Sequence, residues 1–188
     1  MTDAQRAPVP LLDWNVLVTS RERAQRRLRQ TFRPLIRLRN SGFRNVLIGR
    51  AGAVEDFLTA VWEHGERRPS MRRWLGRILP IERTFLVDPA GFEAQIQAET
   101  DPLVDRLSGH SYHVRVERRG HKGLINTRTS ERALGEHIFA VLESRGQPPA
   151  VVFHEPDVVI VIEVVGDVAG VGLVTRRLRE QCPFVRVD

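Results

Sequence analysis

Apolar positions at Ala24, Leu28, Phe32, Leu35 and Ile36 recur at helical spacing, which predicts a helix over residues 21–37 with one buried face. Just ahead of it, Trp14–Thr19 is a β-type run, and Ser20 is placed to cap the helix. Pro34 should kink or end that helix. Asn40-Ser41-Gly42 marks a turn into a strand at Phe43–Ile48, and Val54, Phe57, Leu58, Val61 and Trp62 predict a second amphipathic helix. Strand-like sequence resumes from Arg77 to Val87, where Pro80 favours an edge or a bulge. The order β-α-β-α-β predicts a small α+β module.

Asp88-Pro89-Ala90-Gly91 punctuates the chain and marks a boundary between residues 1–87 and 88–188. Beyond it, Phe92, Ile96, Leu103 and Leu107 predict two short helices divided at Asp101-Pro102. Tyr112, Val114 and Val116 alternate with His113, Arg115 and Glu117, the mark of a strand with one buried face. A helix starting near Thr129 or Ser130 carries Leu134, Ile138, Val141 and Leu142 inward and ends by Gly146. Val151–Phe153 is a short strand, and Val158–Val165 is so uniformly apolar that a central strand covered on both faces is expected. Val171–Val174, a short basic helix around Arg176–Glu180 and Phe184–Val187 close the chain.

The 188 residues carry a net charge of +6, from 29 basic and 23 acidic side chains, and the only Lys is Lys122. An Arg fork grips phosphate bidentately and stacks on bases, so this bias points toward nucleic acid. The surplus is local. Residues 1–87 hold 17 basic and 8 acidic side chains, whereas residues 88–188 hold 12 and 15. Arg23, Arg26, Arg29, Arg33 and Arg37 line the polar face of the first predicted helix, with Glu22 the one acid nearby. That stripe reads equally as a solvated face or as a nucleic-acid contact.

Several classes are excluded. No apolar run approaches the length of a membrane span, and Met1–Leu12 lacks the apolar core of a signal peptide, so a cytoplasmic location is expected. One cysteine, Cys182, rules out an intramolecular disulfide framework and any Cys-based zinc site. His110-x-x-His113 with His121 resembles metal spacing only loosely, and no nucleophile motif or dinucleotide fingerprint is present. No cofactor and no catalytic residue is therefore expected. A small histidine- or metal-dependent RNA enzyme and a pure protein-interaction module stay open as alternatives.

The stretch Arg118-Arg119-Gly120-His121-Lys122-Gly123 is the most suggestive loop. Its glycines let main-chain N–H groups approach an anion, and it leads into a helix N-terminus. A G-x-x-G clamp of the KH type is rejected, because a strand rather than a helix precedes it. Phosphate contact and an ordinary solvated loop both remain readings of it.

The second half resembles the THUMP domain, an RNA-binding module of tRNA thiolation, methylation and deamination enzymes. The resemblance rests on Tyr112–Gly120, on Ser130-Glu131 with Leu134-Gly135 and Ile138, and on Glu155–Val164 followed by Gly166. It covers roughly residues 88–188. Such domains usually follow a ferredoxin-like module, so the expected fold class is α+β: a ferredoxin-like module over 1–87 and a THUMP-type α/β domain over 88–188. Arg77–Ile81 with Thr84 looks like the stand-alone members, the non-catalytic adaptors that bring tRNA to a separate acetyltransferase for cytidine N4-acetylation. The resemblance thus implies tRNA or another structured RNA as partner, with no membrane. Expected phosphate contacts are Arg72, Arg73 and Arg77 in the connector, and Arg115, Arg118, Arg119, Lys122, Arg128 and Arg132 around the loop.

Overall fold

Val16–Ser20 forms strand β1 in the middle of an antiparallel sheet, and every position but Thr19 is buried. This comes from a computed structural model that describes residues 12–21 and 23–187. The N-terminal stretch through residue 11, and Glu22 in the Arg-rich segment, lie outside the described residues. Helix α1 spans Gln25–Phe32, strands β2 and β3 span Arg39–Asn40 and Val46–Gly49, and helix α2 spans Val54–Arg67. A 3₁₀ turn at Pro69–Arg73 leads into strand β4, Leu75–Pro80. The sheet order is β2-β3-β1-β4, with every neighbour antiparallel. The order is therefore β-α-β-β-α-β. The extra strand is the two-residue β2, too short to leave an alternating pattern in the sequence.

Three local expectations shift. Helix α1 is shorter than its apolar period implied, because Arg23 sits in the left-handed region (φ 49°) and Ala24 takes the N-cap position. Ser20 stays in β1, and its hydroxyl donates to Asn45 Oδ1 at 3.3 Å instead of capping the helix. At the other end the helical run stops at Phe32, ahead of Pro34, leaving Arg37 beyond it. The expected continuous strand from Arg77 to Val87 is two strands. The chain leaves the first sheet at Pro80, the end of edge strand β4, and enters a second sheet as β5, Arg83–Leu86.

The second sheet is completed by β6 (Tyr112–Arg119), β7 (Val158–Val165) and β8 (Val168–Thr175), in the order β5-β8-β7-β6. Only β6 and β7 run parallel. Helix α3 (Phe92–Thr100), a 3₁₀ segment at Asp101–Leu107 and helix α4 (Thr127–Ser144) cover one face. The sheet now enters at Arg83, ahead of the 87/88 boundary expected from the turn residues.

Strand β7 explains why its sequence is uniformly apolar. Val158, Ile160, Ile162 and Val164 join the core under α3 and α4. The alternate residues Val159, Val161 and Val165 join the core of the first sheet, with Trp14, Leu79 and Ile81. Strand β8 matches this with two glycines facing the first module. A Cβ on Gly172 would lie 2.2 Å from the Pro80 carbonyl oxygen, and one on Gly170 would lie 2.8 Å from the Trp14 ring. The chain then returns: α5 (Arg176–Gln181) is followed by buried Cys182, Phe184 and Val185, which pack in the first core. Ile78 N–H donates to the Phe184 carbonyl at 2.8 Å. The two modules are thus joined by a shared core and by a tail that crosses back. No helix among the described residues is long and apolar enough to cross a membrane.

Candidate nucleic-acid interface

Strand β6 delivers Arg118 to its exit, where the backbone turns sharply. Gly120 (φ 115°) and Gly123 (φ 84°) occupy the region that glycine alone enters freely, and His121 follows at φ 47°. The His121 carbonyl accepts from Leu124 N–H at 3.0 Å and Ile125 N–H at 3.1 Å, which closes the loop. Asn126 then caps α4, its Oδ1 accepting from Thr129 N–H at 3.2 Å. The helix thus starts earlier than its apolar period suggested, at Thr127.

Around this helix start lies an open hollow of about 390 Å³, lined by Arg118, Gly123, Leu124, Ile125, Asn126, Thr127 and Arg128. Arg118 donates to the Gly120 carbonyl at 3.2 Å, while Lys122 and Arg128 are exposed. Among the described residues, none of these three cations is engaged in an ion pair. The macrodipole adds partial positive charge at the same place. Arg132, one turn along α4, is exposed and only loosely paired with Glu136 at 4.0 Å. Arg115 reaches Glu131 at 3.6 Å, and the same carboxylate accepts from Val116 N–H at 2.9 Å on the outer edge of β6. The arrangement presents guanidinium and ammonium groups around a helix N-terminus, chemistry suited to phosphate oxygens.

Two of the expected contacts are elsewhere. Arg77 is 5 % exposed, and its guanidinium lies 2.8 Å from Glu163 Oε1 and 2.7 Å from Glu117 Oε2. Arg119 bonds Glu163 Oε2 and lies 3.0 Å from Glu117. Both guanidinium groups are already held by carboxylates. They are corrections to the sequence reading, and the reason is electrostatic. A buried carboxylate inside an apolar strand needs cationic partners. Burial pushes the Glu163 carboxyl above its ordinary range, and Arg119 and Arg77 offset only part of that rise.

A second basic surface belongs to the first module. Arg23, Arg26, Arg29 and Arg33 are exposed on and around α1, and Arg27 lies over the Trp74 ring at 4.8 Å. Trp74 itself is buried, which leaves its ring a support for Arg27 rather than a platform for a base. Arg73 is exposed beside it, and Arg72 pairs with Glu66 at 3.5 Å.

The histidines do not gather. His113 stands edge-on to Phe153 with centroids 5.3 Å apart, and burial holds its imidazole below the usual range. His121 Nε2 lies 3.3 Å from Asp167 but is too poorly aligned to hydrogen-bond. Among the described residues, no three His, Cys, Asp or Glu side chains converge as a metal ion would require. Sequence reasoning missed the exposed apolar pair Val151 and Phe153, which border a hollow of about 540 Å³ with His113 and Phe139. A lone Phe in a turn-rich segment gives no periodic signal.

Comparison with known proteins places this geometry. A search of curated proteins finds no match to the chain. Among solved structures, TrmN from Thermus thermophilus superposes on 85 % of this chain and 44 % of its own, with a TM-score of 0.57 and 18 % identity. A 4-thiouridine synthetase crystallised as an RNA complex with bound ATP covers 86 % of this chain and 41 % of its own, at a TM-score of 0.54 and 12 % identity. At such identities the likeness is one of fold, and the chain spans less than half the length of either structure. The family profile that matches is that of the THUMP domain, over residues 93–174, from α3 through β8. The loop and helix start described above lie inside it: the second module of this chain is a THUMP domain.

Proposed function

We propose that the chain binds structured RNA, tRNA foremost, as a non-catalytic adaptor that presents it to a separate tRNA-modifying enzyme such as a cytidine acetyltransferase. The observation that carries this reading is the coincidence of the THUMP match with Arg118, Lys122 and Arg128, none of them in an ion pair among the described residues, around the start of α4. THUMP domains are RNA-binding modules of tRNA-modifying proteins, and one structural neighbour is itself described as an RNA complex. The first module, ferredoxin-like in its β-α-β-β-α-β order, is the companion such domains keep, and it adds the α1 face. Arg115, Arg132, Arg72 and Arg73 extend the two surfaces. Two basic surfaces on one rigid body recognise the spacing of phosphates on a folded RNA without reading bases.

The test is the salt dependence of tRNA binding by the full chain. Log K should fall linearly with log salt, and replacing Arg118 and Lys122 by Ala should reduce the slope by about one each. A slope unchanged in both variants would remove the loop from the interface, and no tRNA binding at moderate salt would remove the RNA reading. Bound tRNA should also stay chemically unchanged on nucleoside analysis after incubation with the chain alone. Conversion by the chain alone would overturn the adaptor role.

A further inference from the structure

We propose that Glu163 is the positioning residue for RNA binding: one carboxylate, gripped from both modules, fixes the distance between the two basic surfaces. This rests on the RNA-binding reading above and names the residues that make it depend on spacing. Glu163 occupies a position of β7 whose neighbours on the same face, Val161 and Val165, belong to the first module's core. It is 2 % exposed. Its Oε1 accepts from Arg77 of β4 at 2.8 Å, and its Oε2 accepts from Arg119 of β6. Glu117 closes the ring against both guanidinium groups, at 2.7 Å and 3.0 Å.

The covalent neighbours give this cluster its meaning. Arg119 is the last residue of β6, and Gly120 opens the phosphate-facing loop directly after it. Arg77 sits in β4 just beyond Arg73 and the Trp74 that supports Arg27. The cluster therefore ties the root of one basic surface to the root of the other. Its hydrogen bonds are directional where the surrounding apolar core is not, so it selects one seating of the modules among those the core would permit. Opposite Glu163 across the ladder is Gly170, whose missing side chain lets Ile81 and the Trp14 ring of the first module pack directly on the strand.

The experiment uses the full chain and two RNA probes: a folded tRNA, able to engage both surfaces, and a short stem-loop that engages one. Glu163→Gln keeps the shape and removes the charge that both guanidinium groups share. Affinity for tRNA should fall about tenfold or more as simultaneous engagement is lost, with a shallower salt slope, while stem-loop affinity stays within about twofold. Because Glu163→Gln takes one of two carboxylates from a buried pair of guanidinium groups and can unfold the chain, Arg77→Lys is measured beside it. It keeps the charge, replaces the planar guanidinium that bridges Glu163 and Glu117 by a flexible ammonium, and should show the same selective loss. Equal weakening of both probes in a folded variant, or an unchanged tRNA affinity and slope, overturns the positioning role. A wild-type chain that binds neither probe instead removes the RNA reading, and the positioning role with it.

Discussion

Replacing Gly172 by Ala tests how tightly the modules are seated. A Cβ at this position would lie 2.2 Å from the Pro80 carbonyl oxygen, 3.2 Å from its carbon and 3.3 Å from Ile81 Cα. The obstacle is main chain, and it is held: Ile81 N–H donates to Asn15 O at 2.9 Å and Glu82 N–H to Val171 O at 2.8 Å. Ordinary contact would require β8 and the β4–β5 link to separate by roughly an ångström, which places the cost near the upper end of overpacking, about 3 kcal/mol. For a chain of this size that lowers Tm by roughly 6–12 °C. Gly135→Ala is the control, because a Cβ there meets nothing within 4 Å in the middle of α4. It should stabilise by about 0.5–1 kcal/mol. Thermal melts followed by circular dichroism read both. A Gly172→Ala protein that melts with the wild type would show that the module contact yields freely, and the rigid spacing argued above would lose its basis.

Other outcomes follow from single contacts. Tyr112 is fully buried and its hydroxyl donates to the Gly135 carbonyl at 2.8 Å; desolvation raises its pKa to about 12. The unfolded chain then loses that proton first, so stability is intact below pH 10 and declines toward pH 12, by about 2–3 kcal/mol in all. Tyr112→Phe should flatten the decline in denaturant titrations near pH 11 and cost about 1 kcal/mol at neutral pH; a decline as steep as wild type would assign it to other groups. Asn126→Ala removes the α4 cap and should cost about 1 kcal/mol, or roughly 2–4 °C in Tm. An unchanged melting curve would show that water replaces the cap in full.

The second half of the fold was more legible in the sequence than the first. Tyr112, Val114 and Val116 alternate because one face of β6 is buried, and Leu134, Ile138 and Leu142 repeat because α4 lies on that core. Both patterns survive intact. In the first half the run from Arg77 to Val87 conceals a change of sheet: Pro80 and Ile81 are buried like strand residues, so burial alone does not reveal that hydrogen bonding switches partners. Site residues divide along the same line. Lys122 and Arg128 are exposed and Arg118 half-buried where their loop and helix start predict, since local chain geometry decides that. Arg77 and Arg119 carry the same charge in the sequence but meet one carboxylate 86 and 44 residues away, a tertiary fact without local signature. Glu163 was the one clue, an acid in a strand otherwise free of polar groups.

The two-sidedness of β7 also constrains how this chain can be divided. Because its alternate residues belong to different cores, a slip of one position would turn both inside out together, so neither module tolerates an error in the other. Cutting at the loop that separates the modules in sequence would strip β5 from β8 and bare Val159, Val161 and Val174 to water. A fragment of residues 88–188 should therefore aggregate, and one begun at Arg83 would regain the strand but not the cover. The recognisable domain is not a detachable part. In this chain the family fold is one wall of a building whose other wall is the module before it.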